Sequence, residues 1–365
     1  MPKEAAKTVL SQSKRLMAAM EPGDSLIFLN GPAGDQIASL DLPEGDEGQE
    51  ILSSKRKLGK FVKGPLTQVQ GFIVEAAKRA EGLGPDQVPM QVNLPGVLHG
   101  LSIHAQDTPS VFVFGTMRYQ GPGWPNYSMA HSFPNDAHVN HRPDQTPFGA
   151  QGREDYLTGT KVNFCDLDQG YVKDIQRLGL ERATGLMIEG YGATVANLTQ
   201  DIKQCVTSGL EGAVDKTKSF VADPSAKDLI VYDANQTAKA PSTSSQEQTD
   251  LLNRIGLAED DKAIMKDLMG QNRVVLAEVY LYDTGATDGD VVALLSGPLS
   301  FEVRLKRQKQ QVIVPITDGV LKLKGVRDGG GGITVGVKTK ENDTVVSPVM
   351  RVGQVINLPF LKLSS

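Results

Sequence analysis

Cysteine is nearly absent: the 365 residues contain two, Cys165 and Cys205. Two are too few for a disulfide framework and fit a reducing compartment, so Cys165, inside the apolar run "KVNFCDL", reads as a small core residue. No stretch approaches the ~20 consecutive apolar residues of a membrane-spanning helix. The opening "MPKEAAKTVLSQSKRLMAAM" scatters Lys and Arg through its length and has no continuous apolar segment of the kind a secretory leader requires. It reads instead as an amphipathic helix, which makes a cytoplasmic location the expectation. Positive charge is not in excess: 38 Lys and Arg face 43 Asp and Glu for a net charge of -5, which argues against nucleic acid as the main partner. The basic cluster at Lys55, Arg56 and Lys57 is then a solvated helix face.

Familiar catalytic signatures are missing too. No serine stands in a Gly-x-Ser-x-Gly elbow, and neither cysteine has a histidine near it in sequence. The tract Asp328-Gly-Gly-Gly-Gly332 lacks the Lys-Ser/Thr and the following helix of a phosphate loop, so it reads as a hairpin end. Asp283, Asp288 and Asp290 in "DTGATDGD" have neither the regular spacing nor the distal Glu of a calcium loop, and a β-turn is the preferred reading. Glu181 and Glu189 lie on one helical face, where paired carboxylates are usually solvated.

What is present divides by texture. Through about residue 220, helical periodicity alternates with short Val/Ile/Phe/Leu runs, the pattern of a mainly parallel, doubly wound α/β sheet. Helices are expected over 5–20, 52–62, 69–81, 94–105 and 171–192, and again after Thr199. Strands are expected at 25–31, 110–115, 159–167 and 193–198, with 110–115 central in the sheet. Residues 42–50 read as an acidic loop. Residues 221–270 form a Pro/Ser/Thr-rich linker and a short helix, and 271–365, with seven alternating apolar runs, a C-terminal all-β antiparallel sandwich.

The order "NLPGVLHGLSIHA", "SVFVFGTMRY", long loop, "GTKVNFCDL", helix, "ATVANL", helix resembles the second half of a von Willebrand factor A-type domain. "KTVLSQSKRLMAAMEPGDSLIFLNG" is similar to that family's first helix running through a Pro-Gly-Asp turn into its second strand. The resemblance spans about residues 5–210 and implies a divalent cation held at the carboxyl edge of the sheet. The ligand positions depart from the family. No Asp-x-Ser-x-Ser strand precedes residues 5–20, and if 25–35 supplied it the motif positions would read Asn30-Gly-Pro-Ala-Gly34. Asn93 stands where the loop Thr belongs, and Gly115-Thr116 where the strand-end Asp belongs. A degenerate site without metal or other cofactor is therefore expected, with residues 228–232 one source of the missing strand.

The segment 119–158 is longer than structureless connectors usually run. It holds the only tryptophan and three of the five histidines. His131, Asp136, His138 and His141 are the candidates for a zinc-like site, but a His-x-x-His pair among prolines does not share a helical face, and hydrogen-bonded surface histidines are the preferred reading. Trp124, Tyr127 and Phe133, with Thr116 and Asn93 at the sheet edge, are the candidate partner-binding residues. The expected function is a noncatalytic protein-interaction or scaffold/assembly protein with protein partners, copies of itself included. The alternatives are a metal-dependent hydrolase using the histidine loop and a structural subunit of a large particle.

Overall fold

The computed structural model describes residues 2–361 apart from 32, 84–86, 89–90, 102–109, 122, 125–126, 217–219, 223–225, 228, 236–237, 240–243, 286–287, 318, 341–343 and 348. In chain order the elements are α1 (Lys3–Ala18), β1 (Ser25–Leu29), β2 (Gln36–Asp41), α2 (Gly45–Ser53), α3 (Lys55–Ala80), α4 (Leu94–Leu101), β3 (Ser110–Gly115), β4 (Ser132–Pro134), β5 (Lys161–Asp166), α5 (Asp174–Gly190), β6 (Thr194–Thr199) and α6 (Ile202–Leu210). There follow β7 (Val231–Asp233), β8 (Ala238–Lys239), α7 (Ser245–Arg254), α8 (Glu259–Gly270), β9 (Val274–Tyr282), β10 (Val291–Ser296), β11 (Leu299–Arg304), β12 (Gln310–Thr317), β13 (Val320–Arg327), β14 (Gly336–Lys338), β15 (Thr344–Val346) and β16 (Val355–Leu361). The chain divides into two compact units, one of residues 1–130, 141–171 and 184–220, the other of 131–140, 172–183 and 221–365.

In the first unit β3, β5 and β6 form a parallel sheet with β5 in the middle. Every residue of β5 after Lys161 is buried; Val162, Phe164 and Cys165 are apolar, and the polar Asn163 and Asp166 are hydrogen-bonded. The expected central strand, 110–115, is an edge strand. The strand expected at 25–31 pairs locally instead: Gly34, at φ +77, closes a turn in which its N–H donates to the Asn30 carbonyl, so β1 folds back onto β2 as an antiparallel hairpin. The helices expected over 52–62 and 69–81 are joined as one, α3, which begins at Lys55 and runs through Pro65, whereas Leu52 and Ser53 end α2, which starts within the acidic stretch 42–50. Ser54 caps α3 by accepting from the Lys57 N–H. The end of the expected 94–105 helix lies outside the described residues.

Helix α1 places Val9, Ser13, Leu16 and Met17 on one buried stripe. Leu16 packs with Cys165, Cys205 and Val206. Cys165 is a core residue, as expected, but its sulfur is bonded to that of Cys205, tying β5 to α6. The low cysteine count therefore no longer argues for a reducing compartment.

The second unit is dominated by an antiparallel sheet of eight strands, ordered β11-β10-β13-β12-β9-β14-β15, with β16 on β13 and two-residue β8 parallel to β16. β12 and β13 share a single residue pair, Thr317↔Val320, before diverging. α7, whose Ser244 and Glu247 form a capping box, and α8 pack with β9 through Leu251, Ile255, Met265 and Leu276. The stretch expected to be a solvated linker contributes β7, which pairs with β4 rather than with the parallel sheet. Parts of that stretch, 223–225, 228, 236–237 and 240–243, lie outside the described residues. No helix among the described residues is long and apolar enough to cross a membrane.

Candidate functional site

The carboxyl ends of β3 and β5 carry the most concentrated polar chemistry of the first unit. β3 runs out into Thr116 and Arg118, and β5 into Asp166 and Asp168; the four are all nearly inaccessible. Parallel strands in register bring their ends level, and the Leu167 N–H donates to the Gly115 carbonyl to hold the two exits together at 2.8 Å.

Asp168 is the hub. Arg118 donates to it in bidentate fashion, Nε to Oδ2 at 2.6 Å and Nη2 to Oδ1 at 2.9 Å. The Thr116 hydroxyl also donates to Oδ2, and the Gly170 N–H to Oδ1 at 2.8 Å. A β-carbon at Gly170 would stand 2.9 Å from Arg118 Nη2, so this position has no room for a side chain. Gln200, just beyond β6, donates to the Asp168 carbonyl at 2.6 Å. A buried carboxylate with four donors, two of them from one guanidinium, is fully satisfied.

Asp166 differs. Burial pushes its carboxyl up to about 7, even though the Tyr171 hydroxyl and the Asp168 N–H both donate to it. Burial, followed by the charges of Asp166 and Asp168, pushes the Tyr171 hydroxyl up as well. The edge thus holds one ion pair beside one carboxyl that burial keeps protonated well above the usual carboxylate range.

A cation at the sheet edge, as the resemblance implies, does not fit these residues. The Asp168 oxygens already face the Arg118 guanidinium, and the Thr116 hydroxyl donates to Asp168 Oδ2 and accepts from the Arg118 main-chain N–H. Asn93 is turned to a different task, accepting from the Gly96 N–H at the start of α4.

The aromatic residues of the long loop pack among themselves. Trp124 meets Tyr127 edge-on at 5.5 Å, Tyr127 meets Phe148 at 6.2 Å, and Phe148 meets Tyr119 at 5.2 Å. Tyr119 and Phe148 are buried, whereas Trp124 and Tyr127 remain half-buried at the outer end of the row. Phe133 is not part of it: 1% exposed, it lies in the second unit with its ring 5.3 Å from that of Tyr232.

The four metal candidates are not gathered around a common point. Asp136 is held by Arg182 through bonds of 2.9 and 2.6 Å. His138, wholly buried, has Nε2 3.1 Å from the Ile230 carbonyl. His131 accepts at its main-chain carbonyl from the Ala234 N–H, and His141 at its own from Gln151. Asp136, Arg182, Phe133 and Tyr232 instead line a small cleft in the second unit, where burial pushes the Tyr232 hydroxyl up to about 12. Glu181 pairs with Arg177, and Glu189 accepts from the Phe220 N–H.

Arg118 and Asp168 were missed in the sequence because they lie 50 residues apart. The available signal was positional: each follows an apolar strand by two or three residues, where α/β proteins concentrate polar groups. No protein family, curated protein or solved structure matches this chain.

Proposed function

We propose that this chain is a noncatalytic protein-interaction or assembly protein, with an A-type-like α/β unit whose carboxyl sheet edge carries a built-in cation in place of a metal ion. The observation that supports this most is the bidentate Arg118–Asp168 pair, in which both side chains are at most 5% exposed. An arginine locked by its own carboxylate leaves no open coordination position there for a metal ion. Trp124 and Tyr127 are the contact residues, standing half-buried on a rigid aromatic row beside the β3 exit. Thr116, buried, holds Asp168 from inside, and Asn93 shapes the edge by capping α4, whereas Phe133 is buried in the second unit and offers no contact surface.

The finer architecture belongs to the same proposal. The three-stranded sheet is the core of a doubly wound fold, and the two halves of the antiparallel sheet, joined at one residue pair, face each other as a sandwich. A cytoplasmic location remains compatible with the absence of a spanning helix among the described residues, while the Cys165–Cys205 bond suits an oxidising compartment better.

The test is capture of binding partners, including further copies of this chain, by wild type and by Trp124→Ala. Partner affinity should fall at least roughly tenfold with the melting temperature little changed. A lowered melting temperature with unchanged affinity would assign the aromatic row to stability alone.

A further inference from the structure

The connection from β9 to β10 holds three carboxylates, Asp283, Asp288 and Asp290, each offering one oxygen within 4.8 Å of the others. Asp283 and Asp290 are buried, at 2% and 1% exposure, and Asp288 is half-buried. Three carboxylates brought this close repel one another unless a cation or a proton lies between them.

The structure supplies donors to one side of the group. Asp283 Oδ1 accepts from the Gly285 N–H at 2.9 Å and from the Thr334 hydroxyl at 2.7 Å. Asp290 Oδ1 accepts from the Gly329 N–H at 2.9 Å. The other oxygen of Asp290, Oδ2, is buried without a hydrogen-bond partner, as is Oδ1 of Asp288. An orphaned oxygen on a carboxylate that is 1% exposed is costly, and it needs a positive occupant. Arg327 and Arg304 lie close by, their Nη2 atoms 2.8 and 3.3 Å from where a β-carbon on Gly289 would stand. Among the described residues neither forms an ion pair with Asp288 or Asp290.

The glycine tract closes the group from the other strand connection. A β-carbon at Gly329 would overlap the Asp288 carbonyl, so only glycine permits the approach that delivers its N–H to Asp290. Gly330 and Gly332 both donate to Asp328 Oδ1, at 2.8 and 3.1 Å, fixing the tract in a compact turn. Two features that carry no recognisable motif in sequence, "DTGATDGD" and "DGGGG", thus form one structure.

We propose that Asp283, Asp288 and Asp290 bind a divalent cation of the calcium type, which clips the 283–290 and 328–332 segments together. The donor set is all oxygen and all carboxylate, the choice of a hard cation and not of zinc or copper. Oxygens bound to one calcium ion at about 2.4 Å can stand up to about 4.8 Å apart, so a group whose ligand atoms all lie within 4.8 Å of one another can share one such ion, and calcium accepts an irregular set where magnesium demands a near-regular cage. Burial, and then the charges of Asp288 and Asp283, push the Asp290 carboxyl up to about 7 when no cation is present.

The experiment is calorimetric titration and thermal melting of the EDTA-treated full chain with calcium chloride. Calcium should bind at one site per chain and raise the melting temperature saturably. Asp288→Asn, at the half-buried ligand, should fold normally and weaken binding at least roughly tenfold. Asp290→Asn should abolish the response. Absence of calcium binding at millimolar concentration would overturn the proposal, and so would binding that both variants leave intact.

Discussion

Replacing Arg118 by Met removes the guanidinium while keeping much of the aliphatic bulk. Asp168 would retain the Thr116 hydroxyl and the Gly170 N–H but lose the two charge-assisted bonds of 2.6 and 2.9 Å, in a position 2% exposed. Breaking a buried pair by deleting one partner costs about 3–5 kcal/mol, mostly because the remaining charge is stranded. The same change made together with Asp168→Asn strands nothing. The double variant should therefore lose less than the sum of the single losses, with a coupling of at least about 2 kcal/mol. Urea unfolding followed by tryptophan fluorescence is the suitable assay, because the only tryptophan, Trp124, lies in the first unit and reports on that unit. Strict additivity, or a loss below about 1 kcal/mol for Arg118→Met, would show that the pair does not hold the sheet edge.

Two further outcomes follow from the same unit. Asp166 keeps its proton to about pH 7 when folded and releases it near 3.8 when unfolded, so the folded state binds more protons between those values and stability falls as pH rises from about 4 to 7. Asp166→Asn should flatten that slope and stabilise the unit at neutral pH; an unchanged slope by tryptophan-monitored unfolding would contradict it. The Cys165–Cys205 bond closes a separation of 40 residues, worth about 4 kcal/mol in the chain-entropy account, so Cys205→Ala should lower the urea midpoint clearly and reducing agent should then have no additional effect.

The parallel strands at 110–115, 161–166 and 194–199 were legible because each gathers three or four apolar residues into one short run between helices and loops. The place of 110–115 in the sheet was not, since strand order depends on where 25–29 pairs, and a tight Asn30–Asp35 turn decides that locally. Phe133 looked like a loop anchor because its neighbours, Tyr232 and Gly179, come from distant segments that carry no signal of their own. The acidic group was dismissed on spacing, correctly by the rule for a single calcium loop; what changes its meaning is Gly329, which arrives from another strand connection 39 residues beyond Asp290. Periodicity reports burial, but it does not report which buried segments meet.

The central claim is that Arg118 occupies the place of a cation at the sheet edge. Arg118→Ala, made in the Asp290→Asn background so that the second unit does not respond, leaves Asp166, Asp168 and Thr116 as an open oxygen set. Manganese at millimolar concentration should then raise the melting temperature of the doubly substituted chain and leave that of Asp290→Asn alone unchanged. Equal shifts in both, or no shift in either, would contradict the claim.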